Sequence, residues 1–465
     1  MARGYLMSMS NHYFKKIILL LLATVLMTSG FSCKLIPAKK TPQELTKKIE
    51  LSYWGVWDET NFLAPVISDF QALHSNVTIK YKRFRYAEYE QQLLEAWAED
   101  RGPDIYSLPA QWLKKYQSRI TPQGESVQLA FQEVKKTLGK TEISNVVRSV
   151  PIFKPADIKD KFVDAVYDDV VINNKVYGLP LSVDTLALFY NRDLLDQAGV
   201  ATPPKTWTEL AEAVKKIAQI DVNNNPLTAG VALGTAENVS HAVDLLSILM
   251  MQNGTAMTNE RGQAIFYESS AEEKDYYPGL TALQFYTDFS DPLKEVYTWN
   301  EKQPDALEAF TSGKLAMFFG YAYDLPVIKG RAPKLNFGLA GLPQIQNSAA
   351  ALNYTNYWVE TVSHKAKDAG SAWGFLNFIA AQNEVTKYLA AAGKPGALRT
   401  VVASQKEDPE IGIFAAQTLT AKRWYRGGDP LKMEEYVQEL ITDFPKNPQP
   451  LNLLRSAAMK INQTL

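Results

Sequence analysis

The amino-acid sequence predicts an α/β protein. Short alternating apolar runs are followed by amphipathic helical patterns from residue 49 onward, and this alternation favours a parallel sheet with right-handed helical crossovers. The length of 465 residues predicts two or three domains. The chain has only one cysteine, which excludes a disulfide framework and a cysteine-based metal site. The fold must therefore be held together by burial of apolar side chains.

The first elements follow one another closely. Alternating apolar residues predict strands over 49–54 and 77–83, and a third short strand is predicted over 105–108. Apolar residues at helical spacing predict helices over 62–73 and 86–100. Because ligands bind beyond the carboxyl ends of the strands in such sheets, the segments that follow these strands are candidates for a binding site.

The rest of the chain continues the mixture of strands and helices. A hairpin over 170–179 is predicted to turn at Asn173 and Asn174, because asparagine tolerates the left-handed backbone of tight turns. Thr206 and Glu209 form a capping box for a helix that runs through Ile220. The other predicted strands are 186–191, 231–233, 315–319, 337–340 and 357–362, and the other helices are 241–252, 280–289, 305–312, 366–381 and 384–392. Four tryptophans fit apolar strand or helix faces and are expected in the core: Trp54, Trp97, Trp207 and Trp373.

The N-terminal segment has the composition of a secretory signal peptide. Lys15 and Lys16 precede an apolar run over 17–27 and a group of small residues, and the run is too short to span a bilayer. The segment Gly30-Phe31-Ser32-Cys33 resembles a bacterial lipobox, with glycine where leucine is usual. We therefore expect a signal peptide over 1–32 and a lipidated Cys33 that begins an anchor and tether over 33–45. The alternative is an incidental thiol in a discarded leader.

Motifs for nucleic-acid, metal and phosphate binding are incomplete. The formal net charge of −1, without a basic block, argues against nucleic acid as a partner. His74, His241 and His364 lack metal-ligand spacing and are expected to be structural. The segment 134–141 lacks the first glycine of a phosphate loop, and 221–232 lacks the glycine and the glutamate of a calcium loop. We expect no metal and no cofactor, and no motif specifically supports an enzyme.

Several motifs together resemble the bacterial extracellular solute-binding proteins of family 1, the maltose-binding-protein-like receptors of ABC importers. The order and spacing of the motifs agree along nearly the whole chain after the signal peptide. The matching segments are GPDI at 102–105, VYGLPLSVDTLALFYNRDLL at 176–195, PKTWTEL at 204–210, FTSGKLAM at 310–317 with Gly320, and AWGFLNFI at 372–379. Two positions differ from the usual pattern: Ala397 replaces a common proline, and Tyr321 or Tyr323 replaces the more frequent tryptophan.

The resemblance implies a two-lobed periplasmic-binding-protein-like fold with a ligand cleft between the lobes and crossing hinge segments. The expected lobe boundaries are 46–155 plus 314–356 for lobe 1 and 156–313 plus 357–465 for lobe 2. The protein would be a monomer on the outer face of the cytoplasmic membrane, in the periplasm if an outer membrane is present. It would bind a small molecule and deliver it to an ABC permease.

A sugar needs aromatic faces for its C–H surface and planar polar side chains for its hydroxyls. The residues that the strand ends and the resemblance select are Trp57, Asp58, Arg85, Gln111 and Trp112 from one lobe, Asp184, Glu237, Asn238, Tyr321, Tyr323 and Trp358 from the other, and Arg399, Trp424 and Tyr425 from the C-terminal part. The first hypothesis is thus a binding protein for an oligosaccharide or related polyol. Three alternatives stay open: the same fold binding a peptide, polyamine or phosphorylated solute, a secreted carbohydrate-processing enzyme, and an adhesion or scaffold protein.

Overall fold

The computed structural model describes residues 42–137 and 140–465. Its folded region is built on two mixed sheets, each of which has its own hydrophobic core. The predicted signal peptide and Cys33 lie outside the described residues. Pro42–Leu45 forms one helical turn, α1, where an irregular tether was expected, and it belongs to a unit separate from Thr46–Leu465. Among the described residues, no helix has both the length and the apolar character needed to cross a membrane.

The strands and helices of the described residues are as follows. The strands are β1 Ile49–Gly55, β2 Val77–Arg83, β3 Ile105–Pro109, β4 Val127–Thr137, β5 Lys140–Val150, β6 Val171–Ile172, β7 Lys175–Val176, β8 Asp184–Thr185, β9 Ala187–Asn191, β10 Gln219–Ile220, β11 Pro226–Val231, β12 Leu315–Gly320, β13 Phe337–Ala340, β14 Asn353–Asn356, β15 Trp358–Val362 and β16 Ala421–Lys422. After α1, the helices are α2 Thr60–Leu73, α3 Tyr86–Ala98, α4 Leu113–Tyr116, α5 Pro155–Lys161, α6 Asp164–Val170, α7 Arg192–Gln197, α8 Trp207–Ile217, α9 Ala242–Gln252, α10 Pro278–Asp288, α11 Ala306–Thr311, α12 Asp324–Arg331, α13 Ala369–Ala380, α14 Gln382–Ala392, α15 Arg399–Gln405, α16 Gly412–Gln417, α17 Pro430–Asp443 and α18 Pro450–Asn462.

The first lobe is built on a four-stranded sheet in the order β15-β3-β1-β2. Strands β1, β2 and β3 are parallel, as the strand–helix alternation predicted. Strand β15 comes from much later in the chain and pairs antiparallel with β3, so that Trp358 lies opposite Pro109. A long hairpin of β4 and β5, which the sequence analysis did not predict, packs its base on this lobe through Leu129, which is 2% exposed.

The second lobe is built on a five-stranded sheet in the order β10-β11-β12-β9-β13. Strands β11 and β12 are parallel, whereas β9 is antiparallel to both β12 and β13, so the sheet is mixed. The predicted helix after Thr206 is present, and the Thr206 hydroxyl accepts a hydrogen bond from the backbone N–H of Glu209 at 3.1 Å. That helix ends at Ile217 rather than Ile220, because the next residues pair with β11 as β10.

Within the described residues, the chain passes between the two cores in three regions. Val183 packs in the first core and Leu186 in the second. The chain returns to the first core between Tyr354 and Tyr357, and it passes to the second core again between Val402 and Trp424. At the first two crossings, β8 pairs antiparallel with β14. A small buried sheet thus ties the crossing segments together.

The cores divide the chain differently from the expected lobe boundaries. The segment 156–183 packs in the first core rather than in lobe 2, and Leu315–Gly320 lies inside the second sheet rather than in lobe 1. Trp358–Val362 belongs to the first sheet. The boundaries were wrong because strand pairing, which joins segments far apart in sequence, decides lobe membership.

Candidate functional site

A cleft of about 340 Å³ lies between the two lobes. The first lobe contributes residues that follow β1 and β3, together with the start of β15, so its wall lies at the carboxyl ends of the parallel strands. The second lobe contributes residues that follow β11 and β12, together with residues of two helices, the start of α9 and α17. This is the position that the alternation of strands and helices predicted for a ligand.

Aromatic rings from both lobes meet in the cleft. Trp57 stacks on Tyr86 of its own lobe, with ring centroids 5.6 Å apart, and on Tyr323 of the second lobe, with centroids 5.8 Å apart and ring planes 8° from parallel. Trp358 meets Trp57 edge to face. Trp57, Tyr86 and Tyr323 remain 45%, 50% and 42% exposed, which is unusual for large aromatic side chains. The cleft therefore has flat apolar faces that solvent can reach.

One positively charged side chain lies beside this aromatic group. The Lys394 Nζ is 2.6 Å from Asp58 Oδ1 and 3.1 Å from the Tyr388 hydroxyl oxygen. The Tyr388 hydroxyl donates to the same Asp58 oxygen at 2.7 Å. Because Lys394 and Asp58 are only 23% and 14% exposed, solvent screens this pair less than a surface pair.

Buried carboxyl groups form the polar part of the cleft. Burial raises the pKa of Asp184, Asp244 and Glu360 to about 7 in each case. Hydrogen bonds oppose that effect: Asp184 accepts from the backbone N–H of Ala322 at 2.9 Å, and Glu360 accepts from the Ser107 hydroxyl at 2.6 Å. These groups are held in place by the protein and supply oxygen atoms to the cleft.

Two further polar groups come from the second lobe. Burial lowers the pKa of His241 to about 4, so its imidazole is neutral at pH 7. Glu434 accepts a hydrogen bond from Gln111 Nε2 at 2.9 Å, and this bond joins the two lobes. Burial also raises the pKa of Glu434. Within the described part of the chain, no group of three His, Cys, Asp or Glu side chains is placed to hold a metal ion.

The structure brings six of the predicted binding residues to the cleft. They follow strand ends of both lobes or lie at the hinge, and they are Trp57, Asp58, Gln111, Asp184, Tyr323 and Trp358. Whether they contact a ligand stays a prediction.

Four other predicted residues face away from the cleft. Arg85 is exposed and pairs with Glu88 one turn along its own helix, and Arg399 pairs with Asp164 at 2.6 Å on the surface. Glu237 is exposed outside the cleft. Asn238 is occupied by structural hydrogen bonds, including one that it accepts from the Trp299 indole at 3.0 Å. A position after a strand end did not suffice to place Arg85, Glu237 and Asn238 in the cleft, and a position in a family-like segment did not suffice for Arg399.

The last four predicted residues are buried structural groups rather than cleft residues. Trp112 is 3% exposed and packs against Tyr116. Trp424 is 6% exposed and donates its indole N–H to Ser247, and Tyr425 hydrogen bonds to Thr464. Tyr321 is fully buried, and its hydroxyl donates to Asp244 at 2.8 Å. Tyr321 thus positions a cleft carboxyl group from behind without lining the cleft.

Several cleft residues were missed by the sequence analysis. They come from the start of α3, from the start of α9 and the residue before it, from α17 and from the segments after Tyr357, and they include Tyr86, His241, Asp244, Glu360, Tyr388, Lys394 and Glu434. The position of His241 and Asp244 at the start of a helix could have indicated them, because helix N-termini meet the ligand edge of an α/β sheet. His241 was expected to be a structural histidine, and the structure places it in the cleft.

Comparisons with known proteins agree with this architecture. A family model described as bacterial extracellular solute-binding protein matches residues 66–413. A binding protein of Brucella abortus is 26% identical over 225 residues, which cover 48% of this chain and 51% of that protein. The galactooligosaccharide-binding protein of Bacillus subtilis is 22% identical over 381 residues, which cover 79% of this chain and 76% of that protein. The chain thus spans about half the length of the Brucella relative and about three quarters of the Bacillus one.

Solved structures share the fold. The crystal structure of the cyclic alpha-maltosyl-1,6-maltose binding protein from Arthrobacter globiformis matches with a TM-score of 0.68 at 17% identity. The match covers 90% of this chain and 99% of that chain. The two-lobed arrangement is therefore that of known binding proteins.

Proposed function

The chain belongs to the bacterial extracellular solute-binding proteins, and we propose that it binds a carbohydrate in the cleft between its lobes and delivers it to an ABC permease. The observation that carries this proposal is the stack of Trp57 on Tyr323, which joins one exposed aromatic face from each lobe. Aromatic faces suit the apolar C–H face of a pyranose ring, and such amphipathic side chains are common at binding surfaces. The names of the Bacillus and Arthrobacter proteins support the same ligand class.

The polar groups of the cleft fit the hydroxyls of a sugar. Carboxyl oxygens such as those of Asp184 and Asp58 accept hydrogen bonds, and Lys394 and Gln111 donate them. A ligand that contacts both walls stabilises the closed arrangement, since it gains contacts there that the open arrangement lacks. We propose that this closed complex is the form that the permease recognises.

Binding without chemical conversion is part of the proposal. The cleft carboxyl groups serve as fixed hydrogen-bond acceptors; Asp184, for example, accepts from two backbone N–H groups, those of Ala322 and Thr185. Prolonged incubation with glycans followed by mass spectrometry should return each glycan intact. Release of a shortened glycan would instead support a carbohydrate-processing enzyme.

We also propose that the protein is a monomer anchored by a lipid on Cys33 to the outer face of the cytoplasmic membrane. The lipobox-like segment before Cys33 supports this anchor. A tether that begins at Cys33 would keep the receptor near its permease. In fractionated cells, Cys33→Ser should move the protein from the membrane to the soluble extracytoplasmic fraction. Equal membrane retention of the variant and the wild type would contradict the anchor and leave the binding proposal intact.

Titration with a broad glycan panel tests the ligand class. Trp57 and Trp358 line the cleft, so an accepted sugar should change the tryptophan fluorescence and raise the melting temperature. Mass spectrometry of freshly purified protein under native conditions would reveal a ligand that co-purifies. A panel that leaves both fluorescence and melting temperature unchanged would contradict carbohydrate binding.

A further inference from the structure

The cleft has a strongly asymmetric set of charged side chains. Among its described lining residues, Lys394 is the only Lys or Arg, whereas five carboxyl groups line the same space. The carboxyl groups are those of Asp58, Asp184, Asp244, Glu360 and Glu434.

The one lysine is already neutralised by the protein. Asp58 Oδ1 lies 2.6 Å from Lys394 Nζ, and Tyr388 donates to the same carboxylate oxygen. A second cation, Arg423, acts electrostatically on the cleft residue Asp244 but is only 8% exposed, and its guanidinium donates to Asp169 at 2.8 Å. Neither cation is therefore available to balance the charge of a ligand without losing its own partner.

The histidine of the cleft lining does not supply a positive charge for an anion either. His241 is neutral at pH 7, because burial lowers its pKa to about 4. Where the nearby acids are ionised, they repel an anion, and where they are protonated, they leave it without a counter-ion. Burial of an unpaired charge is costly in either case. Sugar hydroxyls and ammonium groups, by contrast, are donors that suit an acceptor-rich wall.

We infer that this cleft selects its carbohydrate by charge: it admits neutral and ammonium-bearing sugars and rejects anionic ones such as uronic acids and sugar phosphates. Asp58 is the specificity-determining residue, because its ion pair with Lys394 neutralises the positive charge that an anionic ligand would need. This inference rests on the proposed carbohydrate-binding function and narrows its substrate class. It also argues against the phosphorylated solutes that the sequence left open.

Matched sugars that differ only in charge test the inference. The neutral probes are glucose, galactose and their di- and trisaccharides. The anionic probes are the corresponding uronic acids and the 6-phosphates of the monosaccharides, and the cationic probes are the corresponding amino sugars. Each probe is titrated into the full chain and its affinity is measured by calorimetry. For the sugar skeleton that binds, the wild type should bind the neutral or amino form at least 100-fold more tightly than the anionic form. An anionic form that binds as tightly as its neutral counterpart would overturn the inference and leave carbohydrate binding standing. No response to any sugar of any charge would overturn both.

Variants test the role assigned to Asp58. Asp58→Asn keeps the shape of the side chain but leaves Lys394 without a counter-ion, so the preference for neutral over anionic sugar should shrink at least tenfold. The control is Asp69→Asn, which removes an exposed partner of Lys387 on the same lobe and should leave the preference unchanged. Glu434→Gln removes a different charge of the cleft and should also reduce the preference for neutral over anionic sugar. This variant provides the test if Asp58→Asn fails to fold. An unchanged preference in the folded variants would overturn selection by charge.

Discussion

Replacement of Glu360 by glutamine should stabilise the ligand-free protein at pH 8 and change its stability little at pH 4. Glu360 lines the cleft and is 4% exposed. Burial raises its pKa from 4.5 to about 7, so the folded protein holds a proton that the unfolded chain releases. Glutamine has nearly the same shape and carries no charge at any pH.

The sign follows from proton linkage. The pKa of Glu360 is higher in the folded protein than in the unfolded chain. Its contribution to stability is therefore fully present below pH 4.5, the pKa of the unfolded chain, and it is lost as the pH rises through about 7. Each pKa unit corresponds to about 1.4 kcal/mol, so the full shift is worth about 3 kcal/mol at pH 8. That figure is the upper limit of the gain from Glu360→Gln, because the amide must also find partners near the Ser107 hydroxyl.

Urea unfolding at pH 4 and pH 8 measures this difference. The free energy of unfolding of Glu360→Gln relative to the wild type should rise by about 1–3 kcal/mol between the two pH values. The control is Glu435→Gln, since Glu435 is a half-exposed partner of Lys432 and should change stability by less than about 0.5 kcal/mol at either pH. A Glu360→Gln variant that is less stable than the wild type at pH 8, or equally shifted at both pH values, would refute the reasoning.

Two further changes test the aromatic stack and the buried ion pair. Trp57→Ala removes the ring that stacks on Tyr323 and should weaken the binding of an accepted sugar by about 2 kcal/mol, or roughly 30-fold, in calorimetry. The control variant Trp54→Phe changes a residue outside the cleft lining and should bind the sugar normally. Undiminished binding by Trp57→Ala would contradict a role for the stack. Asp169→Ala leaves the buried guanidinium of Arg423 without its carboxylate and should cost about 3–5 kcal/mol in urea unfolding. A loss below about 1 kcal/mol would show that the pair is not buried in the folded state.

Local sequence patterns predicted the elements near the N-terminus of the folded region well. The strands at 49–54 and 77–83 and the helices that follow them are present, because apolar periodicity marks a buried face directly. The turn at Asn173 and Asn174 is also present, with φ of 50° and 56°. Trp97, Trp207 and Trp373 are buried as expected.

Long-range pairing limited the prediction of the lobes. The sequence of Trp358–Val362 predicts a strand, but nothing local indicates that it pairs with β3 of the first sheet. In the same way, Leu315–Gly320 was assigned to the wrong lobe, although its strand character was clear. Pairing partners that lie hundreds of residues apart are decided by the packing of the whole fold.

The candidate site was predictable where a strand end placed the residue directly. Trp57 follows β1 and Tyr323 follows β12, and both line the cleft. Trp424 and Tyr425 were also candidates for ligand contact from the C-terminal part, yet they pack in the second core. Aromatic residues in short connections look alike in sequence, and only the tertiary packing decides which of them solvent can reach.

A crystal structure with the carbohydrate identified by the glycan panel or by co-purification will show whether the ligand lies in the cleft between the lobes. We expect one sugar in the cleft, with a ring face against Trp57 or Tyr323 and a hydroxyl within hydrogen-bond distance of Asp58 or Asp184. A sugar bound on an outer surface, or a cleft left without sugar at a saturating concentration, would contradict this expectation.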